Sequence, residues 1–157
     1  LNDRTVLNVL RDTLRYNLED PLTQWGKSER QWIHTDKPLQ AAQYPRIQIN
    51  KRTDTEMTII SMGFDYIEQR LLSFDIWFWT KAEFKWNLSD ETLKNEELVK
   101  EYQELIQNTV KAKGKQNHDE YKIYLKVNSF SEPVPDESGQ FYLGRASGTI
   151  LYFKNGC

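Results

Sequence analysis

Residues 71–79 read Leu-Leu-Ser-Phe-Asp-Ile-Trp-Phe-Trp, and both interleaved sets of side chains in this run are largely apolar. Strand side chains alternate between faces, so Leu72, Phe74, Ile76 and Phe78 point one way while Leu71, Trp77 and Trp79 point the other. A strand apolar on both sides belongs in the middle of a sheet. Helices would cover one face, and a further layer, such as another subunit, would cover the other.

Upstream, Ile47 and Ile49 alternate with Arg46, Gln48 and Asn50, which predicts a half-exposed strand beginning near Tyr44. Thr53, Asp54 and Thr55 turn the chain into a second strand, Met57 to Met62. Gly63 to Tyr66 turn it again into the long strand at about 68–81. Three strands joined by short polar turns read as an antiparallel meander. Before them, Val6, Leu7, Leu10, Leu14 and Leu18 fall at helical spacing, with Asn2 or Asp3 as cap and Pro21 closing the segment. Between helix and meander, residues 21–43 form a long loop holding Trp25 and Trp32. Loops of this length tend to have a task, and exposing two tryptophans to water would be costly. The segment reads equally as a lid over the core or as an arm reaching another subunit.

Downstream, Ser89 followed by Asp90 and Glu91 predicts the start of a second helix, and Gly114 its end. The apolar stripe runs through Leu98, Val99, Tyr102, Leu105, Ile106 and Val110, and Lys111, Lys113 and Lys115 sit where the helix dipole favours cations. Tyr121, Ile123, Leu125 and Val127 mark another strand, Pro133 to Gly139 an exposed connector, and Phe141 to Phe153 a last strand or hairpin. Gly144 and Gly148 in that last segment suit a bulge or bend. The expected architecture is a single α+β domain over residues 1–157, an antiparallel sheet with two helices on one face, in the order α-β-β-β-α-β-β.

Composition narrows the function classes. The 21 basic and 23 acidic residues are dispersed and give a net charge of −2, so no global field selects nucleic acid or an anionic membrane. Aromatic residues make up 13% of a chain whose mean hydropathy is −0.75, and amphipathic rings of this kind suit interfaces as well as cores. The lone Cys157 allows neither an intrachain disulfide nor a cysteine metal cluster, which fits a reducing compartment. The first residues lack the plan of a signal peptide, and no apolar run approaches the roughly 18 residues of a membrane span. A soluble protein made in a cytoplasm is expected.

Catalytic signals are sparse. His34 and His118 lie in polar, loop-like settings, and the nucleophile-elbow, phosphate-loop, zinc-protease and calcium-loop patterns are all missing. Asp75, Glu83 and Lys85 resemble the two acids and lysine of a metal-dependent nuclease, but all three lie on one strand and its extension. The competing reading pairs Asp75 with Arg70 or Arg46 across the sheet and leaves Glu83 and Lys85 solvated. Trp79 to Trp86, interleaved with Lys81 and Lys85, could also stack single-stranded nucleic acid, although core and interface explain the run better. No catalytic residue, metal ligand or cofactor is assigned.

The helix at Val6–Leu18, the YPRIQI strand, the RLLSFDIWFWTK strand, the helix after Ser89 and the closing FYLGRASGTILYF segment together resemble the tail-terminator or tail-completion proteins at the neck of long-tailed bacteriophages and related viruses. The resemblance covers nearly the whole chain and rests on pattern, with no invariant motif. It implies a structural virion protein: a homo-oligomeric ring, usually a hexamer, assembled in the host cytoplasm. The ring caps the tail tube and joins it to a head-side connector, and DNA crosses its channel without specific binding. The long loop after the first helix departs from the shortest members. On this reading Trp25, Trp32, Trp77, Trp79 and Trp86 are the candidate subunit contacts, with a metal-dependent nucleic-acid enzyme or an aromatic-faced binding module as the alternatives.

Overall fold

The structure is a computed structural model, and it describes residues 1–22, 32–35, 44–52, 56–62, 65–88 and 90–154. It opens with helix α1, Asp3–Asn17, capped by the Asn2 side chain, whose Oδ1 accepts from the Thr5 amide at 2.9 Å. Val6, Leu10 and Leu14 are buried along one stripe of α1, as the spacing required. In its last turn Arg15 donates from Nε and Nη2 to the Ile33 carbonyl at 3.0 and 2.6 Å. Those bonds tie α1 to the short strand β1, Ile33–His34, which runs parallel to β2, Arg46–Lys51.

The centre of the fold is β4, Asp65–Lys81, which includes the two-sided run. Its neighbours differ along its length. β2 pairs with Phe74 to Trp79, while β3, Glu56–Met62, pairs with Asp65 to Leu71. The expected meander is therefore corrected: β2 and β3 lie end to end against the same edge of β4 and do not pair with each other. One strand of 17 residues is long enough to serve two partners in succession.

A second correction concerns the start of the second helix. Trp86–Leu88 and Glu91–Leu93 form β5 and β6, a hairpin in register through Trp86 and Leu93, both buried. Helix α2 begins only at Asn95 and runs to Lys113, so Asp90 and Glu91 belong to the hairpin, and Ser89 lies outside the described residues. Acidic residues that look like a helix's first turn here precede two apolar anchors at strand spacing. α2 does end against Gly114, but at a φ of −71°. Glycine is needed there for close approach, because a Cβ would meet the Val110 and Leu125 carbonyl oxygens at 2.5 and 2.7 Å.

After α2 come β7, Lys115–His118, and β8, Tyr121–Phe130, a hairpin whose first strand the sequence reading missed. The short β9, Val134–Pro135, leads to β10, Phe141–Lys154. β10 is one unbroken strand between β4 and β8, with a bulge at Ser147 and Gly148. The path of the sheet is β1-β2-β4-β10-β8-β7. The fold is α+β, and both helices cover the face that carries Leu72, Phe74, Ile76 and Phe78, all fully buried.

Tyr102 of α2 is the hub of this core. Its ring stacks on Phe78 with centroids 4.6 Å apart and meets Trp32 edge-on at 5.8 Å and Trp86 at 5.2 Å. Its hydroxyl donates to the Glu19 carbonyl at 2.6 Å. At the other end Tyr152 donates to Asp3 Oδ1 at 2.6 Å, and Lys51 pairs with Asp3 Oδ2 at 3.0 Å, fastening the start of α1 to the sheet. Burial and the Asp3 carboxylate push the Tyr152 phenol up to about 12.

Candidate functional site: the second face of the sheet

Register places a continuous set of side chains on the face away from the helices. In successive rows across β2, β4 and β10 it aligns Arg46, Trp79 and Leu143; Gln48, Trp77 and Arg145; then Asn50, Asp75 and Ser147. Farther along, Ser73 and Thr149 meet Lys126 of β8, Leu71 and Leu151 meet Tyr124, and Gln69 and Phe153 meet Lys122. Trp77, Trp79, Leu143 and Leu151 are all half-buried. No helix among the described residues covers this face.

The rings on it are ordered by one another and by arginine. Tyr44 and Phe141 lie with centroids 4.5 Å apart, and the Arg46 guanidinium sits 5.1 Å above the Tyr44 ring. Arg145 lies 5.8 Å from the Trp77 ring centroid, and Tyr124 stacks near Phe153 at 5.9 Å. Arg46 is only 5% exposed, yet its Nε and Nη1 have no acceptor among the described residues, and neither does Nε of Arg145. Guanidinium nitrogens taken from water without acceptors are costly, and these find none among the described residues.

Asp75, the one carboxylate among these rows, is already engaged. Ser147 donates to it from Oγ at 2.6 Å, across from it on β10. The expected pairing with Arg70 or Arg46 is thus corrected. Arg70 points to the helix side, where it pairs with Glu68 at 3.6 Å and hydrogen-bonds Tyr152. The unbroken register of β10 with β4 sets the serine hydroxyl directly across from the carboxylate, a partner that residue type alone did not suggest.

The nuclease-like trio does not converge. Glu83 lies past the end of β4, where Lys94 Nζ binds it at 3.0 Å and Asn95 Nδ2 at 3.2 Å. Those two donors, Lys94 first, hold its carboxyl below the usual range. Asp75 stands roughly 20 Å back along the strand at ~3.3 Å per residue. Among the described residues no group of three His, Cys, Asp or Glu side chains could hold a metal ion. His34 and His118, expected in loops, sit at the ends of β1 and β7.

The candidate tryptophans divide. Trp77 and Trp79 lie on the second face, half-buried. Trp32 and Trp86 are 4% and 3% exposed and pack on Tyr102 in the core, which leaves little of either ring for a partner. Trp25 lies outside the described residues. Arg145 escaped the sequence reading, and Arg46 entered it only as a strand residue and a possible partner of Asp75. Elsewhere a groove of about 560 Å³ beside the end of α2 is floored by Val110, Leu125 and Val127 and edged by Lys111 and Lys115, with no convergent acid or nucleophile.

No protein-family model matches the chain, and no curated protein matches it. Among the described residues no helix is long and apolar enough to cross a membrane.

Proposed function

We propose that the protein is a structural, self-assembling subunit: it forms a homo-oligomeric ring of the tail-terminator kind, which closes a tail tube and joins it to a head-side connector. The observation that carries the reading is the second face of the sheet. It presents half-buried Trp77 and Trp79 beside half-buried Arg145, and no described helix covers it. A surface of this composition resembles the centre of a protein interface, where aromatic residues and arginine are enriched. The order of helices and strands supports the viral reading through the resemblance alone. DNA would pass through the ring's channel unbound, consistent with a net charge of −2.

Electron microscopy of concentrated protein tests this reading: closed rings with a central channel are expected. Monomers or irregular aggregates at every concentration would sink it. The aromatic and cationic character of the same face favours one second reading, a platform for single-stranded nucleic acid. Titration with a fluorescent single-stranded oligonucleotide separates the two, since the ring reading expects no saturable binding. Magnesium-dependent cleavage of DNA, abolished by Lys85→Ala, would revive the enzymatic alternative.

A further inference from the structure

The second face is richer in cations than in carboxylates. Between Gln69 and Lys81 of β4 and on the strands beside it, it carries Arg46, Lys81, Lys122, Lys126 and Arg145 against Asp75, which already holds Ser147, and Glu56, which β3 sets in register with Leu71. The opposite surface of the molecule, the outer side of α2, is charged the other way. Glu97, Glu101 and Glu104 follow one another at helical spacing, with Glu91 of β6 near Glu101 and Lys100 as the cation set among them. Burial first, then Glu104 and Glu91, hold the Glu101 carboxyl above its ordinary range, so these acids crowd one another.

Local ion pairs relieve neither surface. The pairs formed among the described residues, such as Lys51 with Asp3, Lys94 with Glu83 and Lys154 with Glu120, involve none of these α2 glutamates and none of the second-face cations. Arg46, nine-tenths buried within its own subunit and without an acceptor among the described residues at two of its nitrogens, adds charge beneath the face and is closed to a partner. A two-layer molecule with unpaired cations on its sheet and unpaired carboxylates on its helix layer is complementary to itself, head to tail.

We propose that the second face of one copy is covered by the α2 surface of the next, with Glu97, Glu101 and Glu104 meeting Arg145 and Lys81 around the Trp77 and Trp79 rings. The neighbour's helix then completes a helix-sheet-helix stack. Such a contact is heterologous, since each copy offers two different surfaces, and heterologous contacts close into rings when the rotation between copies allows it. Four strands over the length of Gln69 to Trp79 make a face of roughly 35 by 15–20 Å, on the order of 600 Å². That is close to the ~800 Å² per partner of a standard stable interface. The inference rests on the self-assembly reading and names the contact that would carry it.

Charge exchange tests it. Arg145→Glu and Glu101→Arg, each alone, should weaken self-association at least about ten-fold in sedimentation velocity, and the double variant should return to within about three-fold of wild type. Arg145→Gln and Glu104→Arg repeat the test with milder and more exposed changes, and circular dichroism verifies folding. Wild-type assembly should also weaken as salt rises from 0.05 to 0.5 M, by about the same order. Single variants that assemble like wild type, or a double variant no better than the singles, would overturn this contact while leaving ring formation intact. A wild type that stays monomeric throughout would overturn both. Saturable binding of a single-stranded oligonucleotide that Arg145→Glu abolishes, without self-association, would assign the face to nucleic acid instead.

Discussion

Replacing Arg46 by methionine should make the isolated subunit more stable and, because the guanidinium is closed to a partner, leave its assembly little changed. The guanidinium is 5% exposed, and two of its nitrogens lack acceptors among the described residues. Each unsatisfied buried donor costs about 1–3 kcal/mol, and a buried charge without a counter-ion costs more. Methionine keeps most of the stem that packs beside Trp79 and removes the charge. What is lost inside the subunit is the contact with the Tyr44 ring, 5.1 Å away. A desolvated cation–ring contact is worth up to about 2 kcal/mol, so the expected net gain is about 1–3 kcal/mol. For a chain of this size each kcal/mol raises the melting temperature by about 2–4 °C, which gives a rise on the order of 2–12 °C. The assay is a urea melt followed by tryptophan fluorescence at low concentration, where association adds nothing to apparent stability. Sedimentation at high concentration then reads the effect on assembly. A variant less stable than wild type by 1 kcal/mol or more would show that the guanidinium is already compensated within the subunit.

Further outcomes follow from the core. Tyr152, whose phenol is raised from 10.0 to about 12, confers stability that is complete below pH 10 and declines from there to about pH 12, because over that interval the unfolded chain binds fewer protons. The fall should amount to about 2 kcal/mol at most, and Tyr152→Phe should lack it; parallel alkaline profiles for the two proteins would refute the assignment. Gly148→Ala would set a Cβ 2.0 Å from the Lys126 carbonyl oxygen and 2.7 Å from Phe74 Cζ. It should cost at least about 2 kcal/mol in a denaturant melt, and a cost under about 0.5 kcal/mol would mean that the bulge gives way.

The central strand was legible because nine successive residues, 71–79, obey one period of two with few exceptions. Its helix-side set is fully buried, and its other set is half-buried without a described helix above it. α1, the last strand and its bulge near Gly148 were legible for similar local reasons. Pairing was not, since nothing local distinguishes β2 and β3 taking turns on β4 from a meander. The β5-β6 hairpin was hidden by acidic residues that imitate a helix start, and its real determinants, Trp86 and Leu93, act through burial against α2. The same long-range packing explains Trp32 and Trp86. The sequence left Trp32 equally in a lid over the core or in an arm to another subunit and Trp86 in a run of core or interface, and Tyr102, far away in sequence, draws both inward. The polar half of the second face was visible only as alternation until register set Arg46 and Arg145 in adjacent rows beside Trp79 and Trp77.

The most direct measurement is the mass of the protein in solution, by light scattering over a range of concentrations, with Trp79→Ala measured beside the wild type. Assembly through the second face predicts a discrete ring-sized species, or a monomer that converts to one as concentration rises. It also predicts a Trp79→Ala protein of unchanged circular dichroism that stays monomeric over the same range. A wild type that remains monomeric throughout, or a Trp79→Ala protein that assembles with undiminished affinity, would contradict it.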